Sequence, residues 1–365
     1  MEETLMVSRS RIASLAMTAA LSLSASVLPQ SALAQQTINM TIVSGFPPVA
    51  AVVKQLQEFY IPEVNKALAA TNYRIKWNEA FAGTVAKPGG ELDAIRTGLA
   101  DMGIVLTPAH ADKIPLYNIG FVTPFTSSDM KLLSRAVDHL TASFPQMSAA
   151  WAKQGQVFLG ASGVGDDYLI LSSKPINSLA DLKGMKIGGI GLNLRWVQSA
   201  GAVGVVSNLA EFYNATKTGV VDGVLMWGEA VVNQKMHEVG PHMLQARLGG
   251  ATAYAMTVNA GVWKKLPDEV KKILQDKAVA FGQVLGGYVM DVGATAPQRY
   301  RDAGGKVVPL SEADRLAWAK GMPNIAKEWA AGLNKQGLPG DQILTAYMDF
   351  MRQNKQPIAR HWDKE

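Results

Sequence analysis

From Ile38 onward strand and helix signals alternate, and that alternation limits the chain to a layered α/β fold. Ile38, Met40 and Ile42 recur at period two and stop at the Ser44-Gly45-Phe46-Pro47-Pro48 turn. Helical spacing follows through Val52, Leu56, Phe59 and Tyr60. Tyr73, Ile75 and Trp77 then alternate with Arg74, Lys76 and Asn78, a helix is predicted from Glu91 through Ile95 to Leu99, and residues 101–105 read as a third strand. A β-α-β-α-β order implies a mostly parallel sheet with helices on its faces. After a helical stretch the pattern restarts, with strands predicted at 157–161, 168–171, 185–187 and 220–226, as a second α/β unit.

Residues 252–258 read as another strand, and Pro267-Asp268-Glu269 opens the longest helix. Val270, Ile273, Leu274, Phe281, Val284, Leu285 and Tyr288 keep the 3.6-residue period, so one helix is long enough to lie across two lobes. A late strand at 306–310 and helices over 311–355 complete the chain. The predicted lobes are therefore discontinuous: 35–158 with 250–268, and 159–249 with 296–365, linked by the helix 268–295.

Arg9 and Arg11 precede an apolar run from Ala13 to Leu23, and Ala32-Leu33-Ala34 supplies a small-x-small cleavage site. Residues 1–34 therefore read as a signal peptide, with the mature chain starting at Gln35 and exported to the periplasm. Removing 34 of 365 residues leaves 331, more than one core usually organises. At 48% hydrophobic and 18% charged residues the chain is globular rather than disordered. It has no cysteine, which excludes disulfides, thiol catalysis, iron-sulfur clusters and cysteine-zinc sites. The net charge of +5 is spread out, which argues against nucleic acid and gives a mild bias toward anionic ligands.

Three enzymatic patterns are incomplete. Gly189-Ile190-Gly191-Leu192-Asn193-Leu194, with Glu211 downstream, resembles a dinucleotide fingerprint, but Leu194 stands where a third glycine lets helix and strand approach. An NAD-dependent oxidoreductase is accordingly the enzymatic alternative. Gly160-Ala161-Ser162-Gly163-Val164 lacks the closing glycine of a nucleophile elbow, and His237 and His242 lie five apart, off one helical face. Asp166-Asp167 reads as a solvated pair in a glycine-containing loop. No cofactor and no metal are expected.

The segment Lys174-Pro175-Ile176-Asn177-Ser178-Leu179-Ala180-Asp181-Leu182-Lys183-Gly184-Met185-Lys186-Ile187 resembles the solute-binding subunits of TRAP transporters, the tripartite ATP-independent periplasmic family, of the dicarboxylate-binding type. Gly201-Ala202, Glu211-Phe212-Tyr213, Gly219-Val220-Val221-Asp222-Gly223, Gly90-Glu91-Leu92, residues 98–103 and Pro124-Phe125 extend the likeness over most of residues 38–290. The resemblance implies a periplasmic-binding-protein-like fold of two α/β lobes with a hinge, closing as a monomer over a small carboxylate. It implies delivery to membrane subunits and no catalysis; a ligand-sensing adaptor is the alternative use of the same fold.

Family members hold the carboxylate with an arginine directly after the Lys-x-Ile strand, where this chain has Gly188. A second family arginine is replaced in Gly165-Asp166-Asp167-Tyr168. The turn Gly188-Gly189-Ile190-Gly191 offers a substitute, since it leads into a helix whose first turn holds Asn193 and Arg195, and amides there attract anions. Arg195, Asn193 and Gly191 are the expected anchors. Tyr168, Trp227, Tyr213, Phe46 and Phe81 are the expected apolar walls, within a wider aromatic set that includes Phe125 and Tyr254. Such walls favour an aromatic or bulky carboxylate. Glu229, near those walls, either accepts from a ligand hydroxyl or faces solvent, and the second is the preferred expectation.

Overall fold

In the computed structural model, which describes residues 35–365, strands and helices alternate as the apolar periods require. β1 (Gln36–Val43) leads into α1 (Ala51–Gln55) and α2 (Ile61–Leu68), joined by a wide π turn at Leu56–Tyr60, and then β2 (Tyr73–Ala80). α3 (Glu91–Arg96), β3 (Met102–Leu106), α4 (Ile119–Val122), α5 (Met130–Ser143), α6 (Pro145–Lys153) and β4 (Gln156–Gly165) follow. The second half holds β5 (Tyr168–Ser172), β6 (Lys186–Gly189), α7 (Leu194–Gln198), β7 (Val203–Val206) and α8 (Phe212–Lys217). β8 (Gly223–Trp227), α9 (Gly228–Asn233) and β9 (His242–Gln245) complete it. β10 (Ala251–Asn259), α10 (Ala260–Lys265), α11 (Asp268–Asp302), β11 (Lys306–Pro309), α12 (Glu312–Gly321), α13 (Ile325–Asn334) and α14 (Gly340–Gln353) end the chain.

The strands form two sheets, ordered β2-β1-β3-β10-β4 and β11-β9-β5-β8-β6-β7. β1 runs parallel to β2 and β3, and β6 parallel to β7 and β8. β10 and β5 run antiparallel to their neighbours. The sheets are thus mixed rather than purely parallel, because these two strands carry the chain from one sheet to the other. β4 belongs to the first sheet, paired with β10, and not to the second unit where its period had placed it. β7 and β9, four residues each, are too short for an alternation to stand out.

Two motif residues are structural. Asp222 accepts the Lys186 amide at 2.9 Å and pairs with Lys174 at 2.6 Å, tying β6 to the end of β5. At Gly223 a Cβ would fall 2.2 Å from the Leu171 carbonyl, so β8 can pair with β5 only through glycine.

The chain crosses between the sheets at 165–168 and at 245–251, and the crossings bond to each other. The Tyr168 amide donates to the Gly249 carbonyl at 3.0 Å, the Leu248 amide to the Tyr168 carbonyl, and the Gly249 amide to the Asp167 carboxylate at 2.9 Å. α11 packs on α1, α2, α5 and β4 of the first half and on α9 and β11 of the second, so a single helix braces both. Its buried stripe runs from Val270 through Leu274, Phe281, Leu285 and Val289 to Tyr300. β11 joins the second sheet as expected. α13 and α14, however, pack on α4 and α5, returning the C-terminal helices to the first half. Among the described residues no helix is long and apolar enough to cross a membrane. The signal-peptide segment lies outside the described residues.

Candidate functional site

Aromatic side chains from both sheets converge beside the crossings. Tyr168 opens β5 opposite Trp227 at the end of β8, and their rings meet edge-on with centroids 5.7 Å apart. Trp196 of α7 meets Tyr168 edge-on at 5.1 Å and donates its indole N–H to the Phe121 carbonyl at 2.9 Å. From the first sheet comes Tyr254, placed where the β10 and β4 register shifts, with Phe46 edge-on at 5.8 Å. Irregular pairing of this kind re-aims side chains locally. Tyr254 and Tyr168 are buried, and Phe46 is half-buried.

Acids accompany these rings. Glu229, in the first turn of α9, is 5% exposed, and its carboxylate accepts the Trp227 indole N–H at 3.1 Å and the Asn233 amide. Burial raises its pKa, and those two donors partly offset the rise. Glu91 is fully buried and accepts the Gly45 amide at 3.0 Å and the Gly89 amide at 2.7 Å, locking the loop that carries Phe46. Its pKa is likewise raised by burial. The Tyr254 hydroxyl is held far above its ordinary value, first by burial and then by the charges of Glu229 and Glu91. The charges of Glu229 from the second half and of Glu91 from the first thus both act on Tyr254.

Asp166 is not solvated, and Asp167 is half-buried. Asp166 is 7% exposed, wedged between Gly228 and Gly293, and its Oδ1 has no hydrogen-bond partner. Its pKa is pushed to about 7 by burial and by the Asp167 charge. Asp167 rises to about 6, again through burial, moderated by the Gly249 amide and by Arg315 and Arg247. Glu229 likewise departs from the expected solvent-facing position. α11 underlies both corrections: it closes on the Asp166 loop at Gly293, and it packs on α9, whose first turn holds Glu229.

The expected anchors separate. Asn193 is fully buried, its Oδ1 accepting the Ile190 amide at 3.1 Å, while its Nδ2 has no hydrogen-bond partner in good geometry and adjoins the Tyr168 hydroxyl. Gly191 adopts φ 87°, with open space where a Cβ would stand. Arg195 turns outward and pairs with Glu328 of α13 at 2.5 Å, both side chains about half-exposed. α7 explains this: Leu194, Trp196 and Val197 are its buried residues, which leaves Arg195 on the opposite side. At five residues α7 is also too short to concentrate charge at its N-terminus as the sequence reading had it.

Among the expected walls, Tyr168, Trp227 and Phe46 lie in the aromatic cluster. Phe81 is buried beside it, in the loop whose Ala82 amide bonds the Phe46 carbonyl. Tyr213 does not join them, because its hydroxyl donates to Glu238 at 2.7 Å on the exposed side of α8. Phe125 packs instead on Trp318 of α12. Trp196 and Glu91 went unassigned in the sequence reading; the apolar flanks of Trp196 in Leu194-Arg195-Trp196-Val197 were the available signal. A groove of about 340 Å³ lies elsewhere, between α9 and α11, lined by Lys235, His237, Glu238 and Arg299 among others, and shares no residue with the cluster.

Known proteins resemble this chain along most of its length. The profile of bacterial extracellular solute-binding protein, family 7, matches residues 56–332. The C4-dicarboxylate-binding periplasmic protein of Rhodobacter capsulatus is 28% identical over 151 residues, 41% of this chain. That match spans 45% of the relative's length, less than half of it. Among solved structures, a TRAP solute-binding protein from Rhodoferax ferrireducens with copurified benzoate superimposes with TM-score 0.77 at 19% identity, covering 87% of this chain and 98% of that one. A TRAP periplasmic solute-binding protein from Bordetella bronchiseptica with bound mandelate gives 0.75 at 22% identity, covering 87% and 99%. These likenesses reproduce the two-sheet fold and its long helix. The family is one of extracytoplasmic receptors rather than enzymes, and with its profile matching 277 of the 365 residues this chain belongs to the family 7 bacterial extracellular solute-binding proteins.

Proposed function

We propose that this protein is the periplasmic receptor of a TRAP transporter, released by cleavage after Ala34, which captures a small organic carboxylate as a monomer and presents it to membrane subunits. The observation that carries the reading is the convergence of Tyr168, Trp227, Tyr254 and Phe46 with buried polar groups where two α/β halves meet. Apolar walls with a few fixed polar groups suit small ligands. An aromatic or bulky acid fits those walls better than a short dicarboxylate. The relatives crystallised with benzoate and mandelate, in the same fold, support that class of guest. Asn193 is the anchor we favour, and Gly191 leaves room beside it. Arg195 is assigned to the tether with α13 rather than to the ligand.

Residues 35–365 are to be screened by thermal shift against aromatic and aliphatic carboxylates. A saturable rise in Tm is expected for at least one acid, because a ligand that binds only the folded chain stabilises it by mass action. Recovery of that acid unchanged after incubation completes the test. Absence of any shift across the panel, or chemical conversion of the hit, removes the proposal.

A further inference from the structure

The buried ionisable groups that surround the aromatic cluster are acids. Glu229 touches the Trp227 indole, Glu91 and Glu229 both bear on Tyr254, and Asp166 bears on Tyr168. Among the described residues the buried basic side chains are His110 and Arg360. His110 follows β3 beside Lys113 and Asp93, and Arg360 binds the carbonyls of Ala319 and Met322 and the Glu365 carboxylate near the C-terminus. Neither is hydrogen-bonded to Tyr168, Trp227, Tyr254 or Phe46. Gly188 does not hold space for a missing cation either, since a Cβ there would meet Val224 at 3.3 Å and Val221 at 3.6 Å in the core of the second half.

A simple carboxylate entering this cluster gains no ion pair and approaches Glu229 and Glu91, so desolvation and repulsion both oppose it. A ligand with a positive centre reverses that balance. Glu229 keeps acceptor capacity beyond its two bonds, because an ionised carboxylate offers about four lone-pair sites. The faces of Trp, Tyr and Phe attract ammonium and quaternary ammonium groups, most strongly where water is excluded. One donor lacks an acceptor in good geometry: the Nδ2 of fully buried Asn193, for which the adjoining Tyr168 hydroxyl is the nearest acceptor. An orphaned buried donor is costly unless something completes it.

We propose that the captured solute is a zwitterion, its ammonium or quaternary nitrogen seated at Glu229 against Trp227, Tyr168 and Tyr254, and its carboxylate accepting from Asn193 Nδ2. This rests on the carboxylate-receptor reading and narrows it. The positive end supplies the cation missing beside Glu229, since Arg247 and Arg315 act instead on Asp167. The opposed polarity of Glu229 and Asn193 sets the orientation in which the solute is held.

Isothermal titration of residues 35–365 with matched pairs tests this directly. The pairs are L-phenylalanine with 3-phenylpropanoate, and 4-trimethylammoniobutanoate with its carbon isostere 5,5-dimethylhexanoate; phenethylamine, which lacks the carboxylate, is the third arm. The zwitterion is expected to bind roughly tenfold or more tighter than its nitrogen-free carboxylate partner in at least one pair, with phenethylamine weaker than phenylalanine. Glu229→Gln should remove most of that preference while the far-ultraviolet spectrum stays native. If the plain carboxylates bind as well as or better than the zwitterions in both pairs, the receptor reading stands and the zwitterion is wrong. A preference untouched by Glu229→Gln also overturns it. If neither member of any pair binds, the zwitterion proposal fails, while the thermal-shift panel of carboxylates decides the receptor reading separately; should Glu229→Gln not fold, the pairwise comparison on the unaltered protein still decides.

Discussion

At the residue scale the second half is joined to the first through indole N–H groups. Trp196 donates to the Phe121 carbonyl, and Trp318 donates to the Trp196 carbonyl and to Ser199, so two buried indoles link α4, α7 and α12 in series. Trp196→Phe keeps an aromatic ring against Tyr168 but leaves the Phe121 carbonyl unpaired. A buried acceptor without a partner costs about 1–3 kcal/mol, and urea denaturation should show a loss in that range. Arg195→Ala is expected to do little. Its ion pair with Glu328 is half-exposed, and such pairs contribute about 0–1 kcal/mol. Affinity for the best carboxylate should also stay within about threefold, a change of under ~1 kcal/mol; a collapse of binding would restore Arg195 as the anchor.

At the scale of elements, close approach at the crossings is the sensitive feature. α11 meets the loop after β4 and the start of α9 at Gly293, where a Cβ would fall 1.7 Å from Asp166 Oδ2 and where Gly228 also approaches. Gly293→Ala must therefore move α11, the Asp166 loop or α9. Overpacking of this kind costs about 1–3 kcal/mol even though alanine suits a helix better than glycine. A melting temperature equal to or above that of the unaltered protein would show that α11 and the Asp166 loop part at this point without cost. The apolar period of α11 was legible in the sequence because it is local: Val270, Leu274, Phe281 and Leu285 repeat on one face whatever they pack against. The allegiance of β4 was not, since its partner β10 lies about ninety residues later and follows an intervening sheet.

For the whole molecule, buried acids set the response to pH. Asp138 and Asp166 are pushed to about 7 and Asp167 to about 6, with burial the first cause in each. These folded-state values lie above the ordinary aspartate range, so the folded chain binds more protons than the unfolded one between roughly pH 4 and 7. Their contribution is complete below the unfolded value and is lost as pH rises through the folded one. Asp93, Asp181 and Asp222 are lowered and act oppositely, weakening the fold as pH falls through acid values. Stability should accordingly peak between about pH 4 and 6 and decline toward pH 8, as urea midpoints across that range will show. Asp138→Asn is expected to flatten the decline: its Oδ1 can still accept the Ala161 amide, while the unpartnered Oδ2 no longer carries charge. An unchanged slope would place the ionised Asp138 in better surroundings than its burial indicates.

The sequence alone determined the alternation of the longer strands and helices, the presence of two α/β units, the long helix and the family, because period, turn residues and motif spacing are written within short windows of chain. It also singled out Tyr168, Trp227, Phe46 and Asn193, each at the end of a strand or in the turn after one. Only the tertiary structure decided which face of α7 turns inward, that Glu229 and Asp166 are buried, and that α13 and α14 return to the first half. Burial and electrostatics at these places depend on atoms brought in from distant parts of the chain, by α11, β10 and the C-terminal helices. A polar residue has the same local sequence whether such a neighbour covers it or water does.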